Sequence, residues 1–393
     1  MQNLIKDAVS EILDELILLR HHFHKNPELS FCENATAEKI ADCLKKWGIE
    51  YKSKIAGTGV CATIGRDEKK KTILIRADMD ALPQKEQTDL EYASQNEGVM
   101  HACGHDMHMT VALGCAYVLN KLKNKLSCNV KIIFQPGEED TGGALPMIEE
   151  GVLENPHVDA AIGCHVSNEV DCGKIRLKNG AMMASPDDFD VEILGRGGHG
   201  AYPHKCIDPI VIASQIIEAF SVYCARFCDP TEPKVISVCK ISGGSFYNII
   251  PDSVSFGGTV RAFSNSVRKE ISEKMEDIIK NITKMYGADY KFSYRFRYPP
   301  LVNDEILVRE FAKSAKNIIG DENVYYTDET SMAGEDFAYF AQNVPSVFVN
   351  LGTKNEKIGA TEPLHSSKFI IDDAAIETGV LAFCSFALEF GKK

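Results

Sequence analysis

A nearly unbroken apolar run, Thr72-Ile73-Leu74-Ile75, leads into Arg76-Ala77-Asp78-Met79-Asp80-Ala81-Leu82-Pro83. A strand with one wet face alternates apolar and polar residues, whereas a continuous run implies cover on both faces. With helical patterns before and after it, such a strand points to an α/β architecture with helices layered on a sheet. Carboxylates just past the C-terminal end of a buried strand lie where open α/β sheets place their sites. The plainer reading, that one of them caps the next turn, is supported by Pro83.

The rest of the chain keeps this texture. Leu4-Ile5, Val9, Ile12-Leu13, Leu16 and Leu19 recur at helical spacing and predict a first helix ending near His21-His22-Phe23-His24. Those histidines read as structural, since a helix C-terminus favours polar or cationic side chains. A second helix is expected over 33–47, stopped by Gly48, and short β-branched strands over 60–64, 129–134 and 158–165. A helix over 109–122 separates two of them. Near Pro186 the pattern changes. An alternating strand over 189–194 is followed by a helix (209–225), two strands (235–241, 253–263), a helix (267–285) and a strand (289–297). This β-α-β-β-α-β order is the split unit of a small ferredoxin-like α+β domain. Residues 1–185 and 299–393 are therefore expected to build one α/β domain, with 186–298 inserted between its halves. A further strand over 346–351 precedes Leu364-His365-Ser366.

Composition narrows the function classes. The 393 residues carry a formal net charge of −13, which disfavours nucleic acid and anionic membrane surfaces as partners. No run of about eighteen apolar residues suggests a membrane span. Thirteen scattered cysteines, an odd number without a paired framework or secretory leader, point to free thiols and the cytoplasm.

The densest chemistry lies in Met100-His101-Ala102-Cys103-Gly104-His105-Asp106-Met107-His108. Only Gly104 separates Cys103 from His105, so in an extended or turn geometry both can reach one metal ion. Zinc and its neighbours accept such mixed thiolate and imidazole ligands. By itself a Cys-x-His pair is as well explained by a buried thiol and a core histidine. A second cluster, Gln135-Pro136-Gly137-Glu138-Glu139-Asp140, follows a strand, and His165 is expected at the end of another. Three strands thus aim candidate ligands at one sheet edge.

Together with Gly197-Gly198-His199-Gly200-Ala201-Tyr202-Pro203-His204 and Leu364-His365-Ser366, these motifs resemble one family over about residues 20–365. It is the family of metal-dependent amidohydrolases that includes hippurate hydrolase, indole-acetyl-amino-acid hydrolases and bacterial N-acyl-amino-acid deacylases. The resemblance implies a two-metal aminopeptidase-like catalytic domain with an inserted lid or dimerisation domain. It implies that Cys103 bridges two divalent ions, His105 and His165 bind one, and Glu139 and His365 bind the other. Glu138 matches the family's general base, and Asp80 its supporting carboxylate. His199 matches a residue that reaches a partner subunit in relatives that form homodimers. One departure is Ser367, where relatives often carry proline.

Two divalent ions held by one thiolate, one carboxylate and three neutral imidazoles keep a charge of about +2, enough to bring a bound water's pKa to about 7. The thiolate favours zinc, cobalt or nickel, with manganese still open. Glu138 and Glu139 are consecutive, so one can ligate while the other faces substrate; a solvated acidic loop is the plainer reading. His199 in its Gly-rich bend either donates to an oxyanion or sits exposed on a bulge. Asn248 and Arg261 are candidates for gripping a substrate carboxylate, with a surface ion pair the equal alternative for Arg261. The expected reaction is hydrolysis of an N-acyl amino acid. An exopeptidase acting on dipeptides, a non-catalytic binder on the same scaffold, and thiol catalysis by Cys103 with His105 are the competing readings.

Overall fold

The computed structural model describes residues 1–392. They gather into two compact units. One comprises Met1–Gly180, Val302–Glu329 and the chain from Tyr339 onward; the other comprises Ala181–Leu301 and Thr330–Ala338.

The first unit is built on an eight-stranded sheet ordered Glu50–Ile55, Gly59–Ile64, Asn129–Gln135, Thr72–Asp78, Ala160–Asp171, Ser346–Lys354, Ile175–Leu177, Val324–Tyr326. Its four central strands are mutually parallel, while the two at the Glu50 end pair antiparallel. Thr72–Asp78 and Asn129–Gln135 are buried at every position, as a doubly covered strand requires. Helices Gln2–Lys25, His105–Lys121 and Ala375–Glu389 pack against one another. The apolar stripe Ile5, Val9, Ile12, Leu16, Leu19 and Phe23 of the first helix is fully in the core.

Two local differences from the sequence pattern bear on function. The helix expected from residue 109 begins at His105, because Gly104 takes φ +79° and turns the chain directly into it. A Cβ on Gly104 would lie 2.4 Å from Val166, so both the conformation and the close approach require glycine. The strand expected to end at His165 runs from Ala160 to Asp171, which makes His165 an interior strand residue. Gly163 pairs with Arg76, so His165 comes level with Asp78 at the sheet's C-terminal edge.

The second unit carries a four-stranded antiparallel sheet ordered Lys234–Gly243, Ser253–Ala262, Ser185–Leu194, Asp289–Arg295. Strictly alternating burial along Ser185–Leu194 directs Phe189, Val191 and Ile193 into a core shared with helices Pro209–Arg226 and Asn265–Tyr286. The order strand, helix, strand, strand, helix, strand, with the first strand central, is the ferredoxin-like arrangement read from the sequence. Among the described residues, no helix is long and apolar enough to cross a membrane.

Candidate metal centre

Five side chains drawn from four segments of the first unit converge. Sγ of Cys103 lies 3.2 Å from Nε2 of His165 and 3.3 Å from Nε2 of His365. Nε2 of His365 is 3.3 Å from Oε1 of Glu139, and Nε2 of His105 is 3.9 Å from the same oxygen. Two groups able to hold an ion result: Cys103, His105 and His165 in one, Cys103, Glu139 and His365 in the other, each with ligand atoms within 4.8 Å of one another. Cys103 belongs to both. Glu138 presents a carboxylate oxygen within 4.8 Å of ligand atoms of His105 and Glu139.

The surroundings hold these groups in place. Oδ2 of Asp80 accepts the backbone N–H of Glu139 at 2.9 Å and the hydroxyl of Ser30 at 2.7 Å. Oδ1 of Asp80 faces Nδ1 of His105 at 3.3 Å, without the alignment of a hydrogen bond. The turn carrying Glu138 and Glu139 is fixed by Glu33, whose buried carboxylate accepts Gly137 N–H at 2.9 Å and the Thr58 hydroxyl at 2.6 Å. Gly137 has φ +68°, and the Phe31 ring occupies the space a Cβ would need. His365 adopts φ +63°, a strained conformation for a non-glycine residue, and donates its N–H to Ala102 at 2.8 Å. The carbonyl of Ser367 accepts Gln87 N–H at 2.8 Å, a second anchor two residues beyond His365.

Electrostatics and hydrogen bonding test whether a cation fits. Nδ1 and Nε2 of His105, Oε1 of Glu139 and Oδ1 of Asp80 are buried without a hydrogen-bond partner, which is costly unless a further group satisfies them. Burial alone would push His105 down, but Asp78, Asp80 and Cys103 outweigh it and raise its proton affinity well above the imidazole range. The site therefore demands positive charge. Burial, helped by His108, pushes His165 down to about 3, so this ring is neutral as a ligand must be. Its Nδ1–H is donated to the Val166 carbonyl at 2.8 Å, which leaves Nε2 directed toward Cys103. Burial and then Glu139 raise the Cys103 thiol well above its ordinary value. A buried sulfur in this state becomes a thiolate only with a cation beside it, as a metal ligand would have. Soft sulfur, imidazole and carboxylate donors in two sets sharing one sulfur fit a divalent metal centre.

Sequence reasoning named several residues behind these groups without finding how they join. Asp78, His108 and Arg76 form a buried cluster, and Glu33 reaches the Gly137 turn from 104 positions away. Arg20 and His24 meet on Oδ2 of Asp106 at 3.0 and 2.9 Å, which gives His24 a structural use. The spacing of His105 and His108, one helical turn apart, was the available signal for the first cluster.

His199, Asn248 and Arg261 lie in the second unit. His199 is exposed on a two-residue strand, Gly198–His199, paired with Ile249–Ile250, and its Nδ1 accepts Ala201 N–H at 3.1 Å. Asn248 is exposed in the adjoining loop. Arg261 is half-buried, with its guanidinium on the Thr259 hydroxyl and the Val260 carbonyl.

Known proteins give the same picture. Residues 74–389 match the model of peptidase family M20/M25/M40. Over 393 residues the chain is 40% identical to thermostable carboxypeptidase 2 of Saccharolobus solfataricus, covering 99% of this chain and 98% of that one. It is 39% identical over 371 residues to N-acetyl-L-cysteine deacetylase of Bacillus subtilis, with 94% and 86% covered. A solved Bacillus subtilis structure, described as a dinuclear metal-binding peptidase of the M20 family, aligns with a TM-score of 0.85 at 34% identity over 97% and 98% of the two chains. With a family match over most of its length and relatives this similar end to end, the chain belongs to peptidase family M20/M25/M40.

Proposed function

We propose that this member of the family, a metal-dependent amidohydrolase, cleaves the amide bond of N-acyl amino acids at a centre of two divalent ions. Cys103 would be shared by both ions, with His105 and His165 holding one and Glu139 and His365 the other. The observation that carries this reading is the membership of Cys103 in both ligand groups. Zinc, cobalt, nickel and manganese are the ions compatible with the donors. When bound, the ions supply the positive field that acidifies a water and polarises the scissile carbonyl.

The chain's own residues do the rest. Glu138 accepts a proton from the water as it attacks and passes it to the departing nitrogen, so that a carboxylic acid and a free amino acid leave. Asp80 holds the Glu139 backbone and faces His105, keeping ligands from both sides in register. His199 donates to the carbonyl oxygen as negative charge develops there. Asn248 and Arg261 bind the substrate's carboxylate.

The active form is a homodimer joined through the inserted domain (residues 186–298), where His199 acts either within its own subunit or on the partner's centre. Exposed Ile210, Val211 and Val222 on one helix and Phe227 just past its end, with Ile241, Phe246 and Tyr247 near an edge strand, supply apolar surface for that contact. Thirteen free thiols are in keeping with a cytoplasmic setting.

An exopeptidase acting on dipeptides is the second reading, favoured by the 40% identity to a carboxypeptidase. Rates on N-acetyl, N-benzoyl and dipeptide substrates separate the two. Glu138→Gln tests the mechanism: turnover should fall about 10²- to 10⁴-fold with metal content unchanged. Turnover within about threefold of wild type would remove Glu138 from the role of general base.

A further inference from the structure

Asp78, His105 and His108 also have the composition and spacing of an ion site. Their hydrogen bonds give them another use. Nε2 of His108 accepts the backbone N–H of Val166 at 2.9 Å, and Nδ1 lies 2.6 Å from Oδ1 of Asp78. A ring nitrogen that accepts from an amide carries no proton, so the proton of His108 sits on Nδ1 and is donated to Asp78. Neither nitrogen is left for an ion.

The same Val166 accepts, on its carbonyl, the Nδ1–H of His165. His108 thus grips one side of a residue whose other side orients a candidate ligand. Ring packing repeats the connection: His108 stacks on His105 with centroids 5.4 Å apart and meets His165 edge-on at 4.9 Å. Behind it, Arg76 Nη1 donates to Oδ2 of Asp78 at 2.6 Å and Arg76 Nε to Gln135 at 2.9 Å, all of them buried. Glu139 and His365 are secured differently, by Asp80 and by Ala102.

We propose that His108 is a positioning residue for one of the two ions, the one assigned to Cys103, His105 and His165, and that Asp78 with Arg76 locks it in the tautomer this requires. The proposal rests on the ligand roles proposed above. It predicts an asymmetric defect, because only one ligand group leans on the His108–Val166 link.

The test is titration of metal-free protein with Co²⁺, following thiolate-to-cobalt absorption and the number of ions bound at equilibrium dialysis. Asparagine at 108 can still reach Asp78 but not Val166; glutamine can reach Val166. His108→Asn should therefore weaken one of the two ions about 10- to 100-fold while leaving the other within about twofold. His108→Gln should restore that ion to within about threefold of wild type. Two ions bound by folded His108→Asn with wild-type affinity, or equal weakening of both, would overturn the proposal. Should His108→Asn fail to fold, the ring-nitrogen NMR spectrum of the wild-type protein decides. His108 must appear as the Nδ1–H tautomer with Nε2 unprotonated; a proton on Nε2 contradicts the proposal. His165→Ala separates this from the ligand reading. If it keeps both ions, the ligand assignment fails; if it loses one while His108→Asn does not, only the role of His108 fails.

Discussion

Each unit buries a carboxylate cluster, and the two are finished in opposite ways. In the ferredoxin-like unit, Asp187 is fully buried and fully satisfied. Arg268 donates to both oxygens at 2.7 and 2.6 Å, Tyr294 OH to one at 2.9 Å, and Arg297 N–H to the other at 2.9 Å. In the catalytic unit, Glu139, Asp80 and His105 keep buried atoms with no hydrogen-bond partner. A satisfied buried charge is a structural pin, and an unsatisfied group marks where another charge belongs. The contrast holds between these two clusters; both ring nitrogens of His101, Oδ1 of Asp106 and the Ser185 hydroxyl are also buried without a hydrogen-bond partner.

The contrast can be broken by mutation. Asp187→Ala strands the Arg268 guanidinium in the interior and should cost about 3–5 kcal/mol of folding stability, the same with or without added metal. Denaturant unfolding at both conditions checks it; a cost that vanishes with metal would erase the distinction. Glu139→Gln should behave in reverse, changing the metal-free protein much less. It should forfeit the metal-conferred stabilisation, about 2.7 kcal/mol when the ion is at a hundred times its Kd. Equal losses in both states would assign Glu139 to the same structural class as Asp187.

The smallest effect concerns His24, beside the centre but satisfied. Burial alone would lower its pKa, yet its hydrogen bonds to Asp106 and Glu86 carry it up to about 9. A raised folded-state value means that its contribution to stability is full below the unfolded value near 6.5 and is lost as pH rises through about 9. Stability of wild type should therefore decline between those values, and His24→Gln should flatten the decline. An identical slope in both proteins would show that another group titrates there.

How much of this was legible in the sequence follows from how local each signal is. The buried strand at Thr72 and the alternation over 189–194 are periodic, so the sheet cores and the split β-α-β-β-α-β order could be read directly, while the strand's start at Ser185 could not, since Ser-Pro-Asp-Asp has no apolar alternation. Glu50–Ile55 went unseen because an exposed edge strand written Glu-Tyr-Lys-Ser-Lys-Ile has no apolar pattern to find. The strand through His165 was cut short because its continuation, Val-Ser-Asn-Glu-Val-Asp, is polar, although Ser167 and Asn168 are buried. The five candidate ligands stood out because rare residue types recur in short motifs. Asp78 and His108 stood in those motifs too, but their link to each other and to the Val166 amide, like that of Glu33 to the Gly137 turn, exists only once the chain has folded.

The account turns on Cys103 serving two ions at once. The most direct measurement is the metal-to-protein ratio, by elemental mass spectrometry after loading and dialysis, of Cys103→Ala beside His165→Ala and His365→Ala. Loss of both ions from Cys103→Ala, with one retained in each histidine variant, is the expected result. Two ions retained by folded Cys103→Ala would contradict it.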